Sequence, residues 1–342
     1  MKTPFLINVI TRMNFGAFID TWKKVKKVSG KNGIFLFLDM IYCGLVYQSG
    51  YIEYDIFHFY DLNAKQRDSY ITRGRLNTMI HRLNEPENWE MLANKAEFDR
   101  VFKDYIHRES LDIRNATIED LEKFVTGKEY VIGKVLRGSC GKGIYKLKVS
   151  DYPTLKDMWD LIHRDEIGLI EDLVVQHPVL ATIHPYSVNT LRVMTILVDG
   201  VAHIPCVYLR IGNGKHVDNL NSGGFGAEVN IKSGIIDTVA VDKFGKQATV
   251  HPLTNAPITG VQLPMFDEVK EFCRQAATVV PGIRMVGWDV CITENGPLLI
   301  EGNPFPGNDL TQLPEHMKGG FGRYHQFMDI IEGKYKTPYD LQ

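Results

Sequence analysis

Cysteine is scarce in this chain of 342 residues, and the few present form no pattern. Cys43, Cys140, Cys206, Cys273 and Cys291 show no CxxC spacing and no accompanying histidine pair, which excludes a zinc site and predicts a reduced, cytoplasmic protein. Charge of one sign is lacking as well: 39 Lys and Arg against 41 Asp and Glu leave a formal net charge of -2. No long-range field is available to hold nucleic acid or an anionic membrane, so small or local partners are expected. Long hydrophobic runs are missing too. The most apolar stretch, 33–47, is interrupted by Asp39 and too short to span a bilayer, which predicts a buried or interfacial helix and no membrane span. The start, MKTPFLINVITRMNFG, is a poor signal peptide, and no internal repeat or low-complexity tract is visible.

What is present is a core: 44% of residues are hydrophobic and 11% aromatic, enough for two or three subdomains. Local patterns divide the chain into residues 1–90, 91–167 and 168–342. The first stretch mixes a basic run, Trp22 to Lys27, read as a solvated helix face, with an aromatic segment, Tyr51 to Tyr60, whose partial alternation predicts a strand. The second alternates helix and strand. A helix is expected near Ala96 to His107, another opened by Thr117, and then a strand from Glu129 to Leu136. The third is dominated by β-branched strands, with hairpin turns at Asp199-Gly200 and Asn295-Gly296 and a helix near Met265 to Ala277. This is α+β architecture with mostly antiparallel sheets.

Three segments carry chemistry. The loop Arg137-Gly-Ser-Cys-Gly-Lys-Gly-Ile144 concentrates glycines and backbone N–H groups, as close approach of a phosphate requires. Its spacing fails as a Walker loop, because two residues rather than four precede Gly-Lys and a strand follows. It reads instead as a flap joining two strands, with Lys134 on the incoming one; an ordinary Gly-rich hairpin fits about as well. His163-Arg164-Asp165 copies the start of a kinase catalytic loop, yet the metal-binding Asn expected five residues later is Ile170 and no Asp-Phe-Gly follows, so it reads as a polar helix end.

Near the carboxyl end, Glu301 and Asn303 lie two apart on a strand and share a face. With Asp289 they would supply the hard oxygen ligands magnesium prefers. A two-residue Asn295-Gly296 turn would pair Asp289 with Gly302 and turn it away, so a loop of three or five residues is required. Arg192 and Arg210 sit within another apolar hairpin and need anions. A two-residue Asp199-Gly200 turn puts them on opposite faces unless a bulge intervenes, and a structural carboxylate such as Glu228 is the alternative partner.

Taken in order, Asn94-Lys95, the Lys134 strand with its flap, Leu169 to Val174, Asn189-Thr-Leu-Arg192, Asn219 to Gly224, and Asp289 with Glu301-Gly-Asn303 resemble the ATP-grasp superfamily over about Lys95 to Gly307. Gln176-His-Pro and Ser187-Val-Asn-Thr-Leu-Arg are most similar to its sugar-transfer-associated, glutamate-ligase-related group, often linked to bacterial surface polysaccharide and capsule assembly. The resemblance implies an ATP-grasp fold, with two α+β subdomains gripping ATP between antiparallel sheets: a small lid at 91–167 and a large subdomain at 168–342. Lys95 and Lys134 would reach phosphates, and Ser139, Gly141, Lys142 and Gly143 would form the flap. The hinge would be Glu171, Asp172, Leu173 and Val174. Asp289, Glu301 and Asn303 would hold magnesium, two ions, with manganese able to substitute; Arg192 and Arg210 would steady the transferred phosphate. Two departures stand out. The ribose carboxylate expected after the hinge is replaced by Gln176 or His177, and residues 1–90 do not read as the βαβ domain that commonly precedes the grasp.

The expected function is an ADP-forming carboxylate-amine ligase working through an acyl-phosphate, on a sugar acid or polysaccharide precursor with an amino acid or related amine. A phosphotransferase on the same scaffold and a non-catalytic nucleotide-binding module are the alternatives. Residues 1–90, with Arg67, Arg73 and Arg75, are assigned to the acceptor; a homodimer is left open.

Overall fold

The computed structural model describes residues 14–138, 143–214 and 218–342, with Asn221 described by its backbone alone. The chain divides into two compact units, one of residues 1–82 and 307–334, the other of residues 83–306 and 335–342.

The first unit is helical. Its opening helix α1, Phe15–Ser29, is capped by the Asn14 side chain and carries the lysine run on its solvent side, as expected. Helix α2, Gly33–Val46, follows after Asn32, whose side chain accepts from the Ile34 and Phe35 N–H groups. The aromatic segment is not a strand. It forms helix α3, Tyr51–Ile56, and a 3-10 turn, Phe59–Asp61. The Glu53 carboxylate accepts from the Gly50 N–H at 2.8 Å, which starts a helix, and the rings of Tyr54, Phe57, Phe59 and Tyr60 then close into one cluster with Phe18, Leu36 and Tyr70. The alternation in the sequence was of aromatics around a helix and turn, all directed to one core.

In the second unit two antiparallel sheets each gather a core. The smaller consists of β1 (Ser110–Asp112), β2 (Tyr130–Lys134), β3 (Ile144–Lys148) and β4 (Leu169–Asp172), in the order β1-β4-β2-β3. Two helices cover it, α5 (Ile118–Val125) and α6 (Leu155–Arg164), opened by capping boxes at Thr117 and Thr154. They bury Leu121, Val125, Met158 and Ile162 against Val131 and Ile170. The helix α4, Lys95–Val101, is shorter than expected and breaks at Phe102 before a second short turn.

The larger sheet includes β6 (Val201–His203), β8 (Phe225–Val229), β9 (Ala240–Asp242) and β10 (Gln247–Ala248), and runs β10-β9-β8-β7-β5-β11-β12, with β6 on β5. Its central strands β5 (Leu191–Val198), β7 (Val207–Ile211), β11 (Met285–Thr293) and β12 (Gly296–Asn303) share one core with the helix α8, Phe266–Ala276, and the 83–106 segment. Every strand pair in both sheets is antiparallel, so the α+β class holds. Among the described residues no helix is long and apolar enough to cross a membrane.

Candidate functional site

Two small irregularities in strand phase assemble the site. In the β11/β12 hairpin the turn is Glu294-Asn295, since Thr293 pairs with Gly296, so the loop has two residues rather than three or five. That register would set Asp289 opposite Ile300. A β-bulge absorbs Ile300 instead, Val290 pairing with Leu299 and Asp289 with Glu301. Glu301 thereby faces Asp289, and the Asn303 amide donates to Glu301 Oε1 at 3.3 Å.

The second slip lies between β6 and β7. Asp199-Gly200 makes the expected two-residue turn, but three residues from His203 to Cys206 match two from Ile196 to Met194, so Arg192 pairs with Tyr208 rather than Val207. Arg192 and Arg210 therefore share a face. Both reach Asp289: Arg192 Nε donates at 2.6 Å and Arg210 Nη1 at 2.5 Å. The arginines' carboxylate partners are thus Asp289 and, for Arg210, Asp218 at 3.0 Å, whereas Glu228 accepts from the Tyr208 hydroxyl. Burial alone would raise the Asp289 carboxyl; the two guanidinium groups overturn this and hold it well below the usual carboxylate range. Glu301 moves the other way, raised by burial and then by the charge of Asp289 beside it.

A cavity of about 410 Å³ gathers residues from four distant stretches: Lys95, Lys134, Glu171, and Glu301 with Asn303 all line it. Lys95 follows the helix cap Asn94 and donates to the Gly138 carbonyl at 3.3 Å. Its ammonium is lowered below the usual lysine value, first by burial and partly by Lys134. Lys134 ends β2 and meets Glu171 on β4 at 2.5 Å, both side chains buried. Burial would raise Glu171, but Lys134 and Arg108 bring it down to about 2.

Arg108 is the residue that sequence reasoning missed. It lies in the loop before β1, in no motif, and is buried with Nη2 2.9 Å from Glu171 and Nη1 donating to the Leu299 carbonyl at 2.5 Å. It thus ties the small sheet to the bulged strand, and it lines a second cavity of about 340 Å³ with Asp172, Leu173, Val174, Thr293, Asn295 and Leu298. Asp218 was missed as well, although it directly precedes the Asn219 to Gly224 stretch. It also accepts from the Thr190 N–H at 2.9 Å.

Other expected site residues have structural partners. His177 caps the helix α7, Pro178–Ile183, its Nδ1 accepting from the Val179 N–H, and it lines neither cavity. Gln176 is spent on the backbone of His184, Ser187 and Asn189. Arg67 is paired with Asp39 at 2.7 Å, and Arg75 lies over the Tyr324 ring and pairs with Asp68, all within the first unit. Gly143 takes a positive φ of 72° and its carbonyl accepts from Val135. Ser139, Gly141 and Lys142 lie outside the described residues.

The donor set suits a small hard cation: two facing carboxylates and an adjacent amide, where the two acids repel unless a positive charge joins them. Both Asp289 oxygens accept from guanidinium groups, and among the described residues no three acidic, His or Cys side chains converge as a complete metal cage. Such a pair accords with a magnesium ion whose remaining ligands are water and phosphate.

A sequence profile of the family described as sugar-transfer associated ATP-grasp matches residues 75–326. No curated protein matches. Solved structures with a similar course of chain include D-alanyl-alanine synthetase A from Vibrio cholerae O1 biovar eltor, 16% identical, covering 71% of this chain and 65% of that one with a TM-score of 0.44. The ATP-grasp ligase PsnB, complexed with minimal precursor, Mg and ADP, is 15% identical over 71% of this chain and 60% of its own, with a TM-score of 0.39. An L-amino acid ligase from Bacillus licheniformis is 11% identical over 64% and 42%, with a TM-score of 0.39. The chain spans less than two thirds of the length of these structures. The profile match alone covers well over half of the sequence, and on that ground the chain belongs to the sugar-transfer associated ATP-grasp family.

Proposed function

We propose that this protein is an ADP-forming carboxylate-amine ligase that binds ATP and magnesium and joins a sugar acid, or another carboxylated polysaccharide precursor, to an amino acid or related amine. The observation that carries the reading is the convergence of Lys95, Lys134, Glu301 and Asn303 on one cavity, with Asp289 opposite Glu301.

The difficulty of such a reaction is charge, since an anionic acid must approach a phosphate that is already negative. Lys95 and Lys134 would receive the phosphate oxygens, and the backbone of Leu173 and Val174, bordering the second cavity, would face the base. Arg192 and Arg210 would steady the transferred phosphoryl group. Magnesium, when bound through Asp289, Glu301 and Asn303, would neutralise phosphate oxygens between them. The acid's oxygen attacks the terminal phosphorus and ADP leaves; the amine nitrogen then attacks the acyl carbon of the resulting acyl-phosphate, inorganic phosphate departs with its electron pair, and the nitrogen gives up one proton to leave the neutral amide. No protein nucleophile is needed. The sugar-linked substrate rests on the family description.

The test is release of ADP and of free phosphate across a panel of uronic acids and amino acids, for wild type and Glu301→Ala. Both products, only with acid and amine together, and lost in the variant, support a ligase. ADP without free phosphate would make the protein a phosphotransferase, and nucleotide binding without turnover on any pair would leave it a binding module.

A further inference from the structure

Helix α2 is apolar all the way round, but only one side of it is used. Leu36, Met40 and Cys43 enter the core of the first unit, while Ile34, Phe35, Leu38, Ile41, Leu45 and Val46 stand in solvent, Ile34 with 75% of its surface exposed and Leu38 with 60%. Their spacing of three and four keeps them on one outer face. A helix of this composition is ordinarily covered on both sides.

The one ionisable acid of the helix is withdrawn from that face. Asp39 turns inward, where Arg67 grips both carboxylate oxygens at 2.8 and 2.7 Å and the Tyr54 hydroxyl donates at 2.6 Å. Charge returns only at the border. On α1, Lys23, Lys26 and Lys27 are exposed and have no acidic partner among the described residues, unlike Lys24, which pairs with Asp55. Trp22 and Lys26 sit against the start of α2: the indole N–H donates to the Gly33 carbonyl at 2.8 Å, and the Lys26 ammonium lies 5.7 Å from the indole ring. Tyr42 is half-exposed on the same helix.

From this arrangement we infer that the α1/α2 face docks on a lipid bilayer carrying anionic headgroups, with α2 lying in the plane of the interface. Fourteen residues of helix reach about 21 Å, short of a hydrocarbon core of about 30 Å, so the helix cannot span and the apolar face is buried lengthwise. The outer side chains enter the acyl boundary, the indole and phenol rings sit at headgroup level, and the three lysines meet lipid phosphates. The net charge of -2 averages over the chain and conceals this local basic border. The inference rests on the first unit alone and does not depend on the ligase reading.

The experiment is co-sedimentation of the full chain with phosphatidylcholine vesicles, with and without phosphatidylglycerol. Wild type should pellet with the anionic vesicles, release as salt rises, and bind neutral vesicles at least tenfold more weakly. Leu38→Glu with Ile41→Glu should weaken binding at least tenfold, with melting unchanged because both positions face solvent. Lys23→Gln, Lys26→Gln and Lys27→Gln should each cost about fivefold. Should the apolar variants fail to fold, wild-type tryptophan quenching by brominated lipid, lost in Trp22→Phe, reads the same contact. Wild type left in the supernatant, or double-variant binding equal to wild type, overturns the inference. So does a dimer, seen by light scattering, that Leu38→Glu dissolves and vesicles do not displace, which would assign the face to a second copy.

Discussion

At the scale of single residues, the cleft depends on buried charges that share partners. Arg108 serves Glu171, the Leu299 carbonyl and Asp99, the last at 3.5 Å. Arg108→Met leaves two carboxylates buried without their guanidinium and should lower unfolding free energy by about 3–5 kcal/mol in urea titrations. Acid should reveal two further groups in separate windows. His184 is fully buried, its Nε2 accepting from the Gly214 N–H, and burial followed by the His251 charge lowers it from 6.5 to about 4. Its folded state resists protonation, so stability is complete above about pH 6.5 and declines as pH falls toward 4. Glu171, depressed from 4.5 to about 2, contributes fully above pH 4.5 and is lost as pH falls toward 2. Melting temperature against pH should therefore slope in both windows, and His184→Gln should flatten the upper one alone. Neither Arg108 nor its bond to Glu171 was legible in the sequence, because an arginine in a loop before a short strand looks the same whether solvated or buried.

Elements show where phase arithmetic succeeds and where it stops. The turn at Asp199-Gly200, the strand ending at Lys134 and the cap at Thr117 could be read from local chemistry, since glycine, threonine and β-branched residues act within a few positions. The pairing of Asp289 with Glu301 could not, because it rests on Ile300 being looped out, and nothing in Leu-Leu-Ile-Glu distinguishes a bulge from a straight strand. The same holds for the extra residue before Cys206 that brings Arg192 and Arg210 together. The aromatic segment 51–60 misled for a related reason: alternation over so short a span is shared by strands and by helix-turn junctions. One element offers a sharp test. The loop 218–224, which delivers Asp218 to Arg210, closes at Gly224, where an added Cβ would lie 2.6 Å from the carbonyls of both Asp218 and Ile211. Backbone on two sides cannot yield, so Gly224→Ala should lower stability by about 1–3 kcal/mol and speed proteolysis within 212–224.

On the scale of the whole molecule, the candidate chemistry belongs to one unit and the exposed apolar helix to the other. That division predicts separable damage. Arg67→Met leaves Asp39 buried with only the Tyr54 hydroxyl, at a cost of about 3–5 kcal/mol. Hydrogen exchange should quicken in residues 15–82 while ATP affinity, followed by calorimetry, stays within about twofold of wild type. Strong coupling of that variant to nucleotide affinity would show that the two units work as one. Within the second unit, the Lys134–Glu171 pair bears on which anions the cleft would admit. Any guest that takes Lys134 must draw it partly from a carboxylate already bound at 2.5 Å, in surroundings where charge is poorly screened. On the proposed reading a polyphosphate would engage Lys95 at the same time, so what is lost at Lys134 would be offset at a second contact. The pair would then act as a sieve, favouring a guest that arrives with several charges in a row over a small anion that carries few.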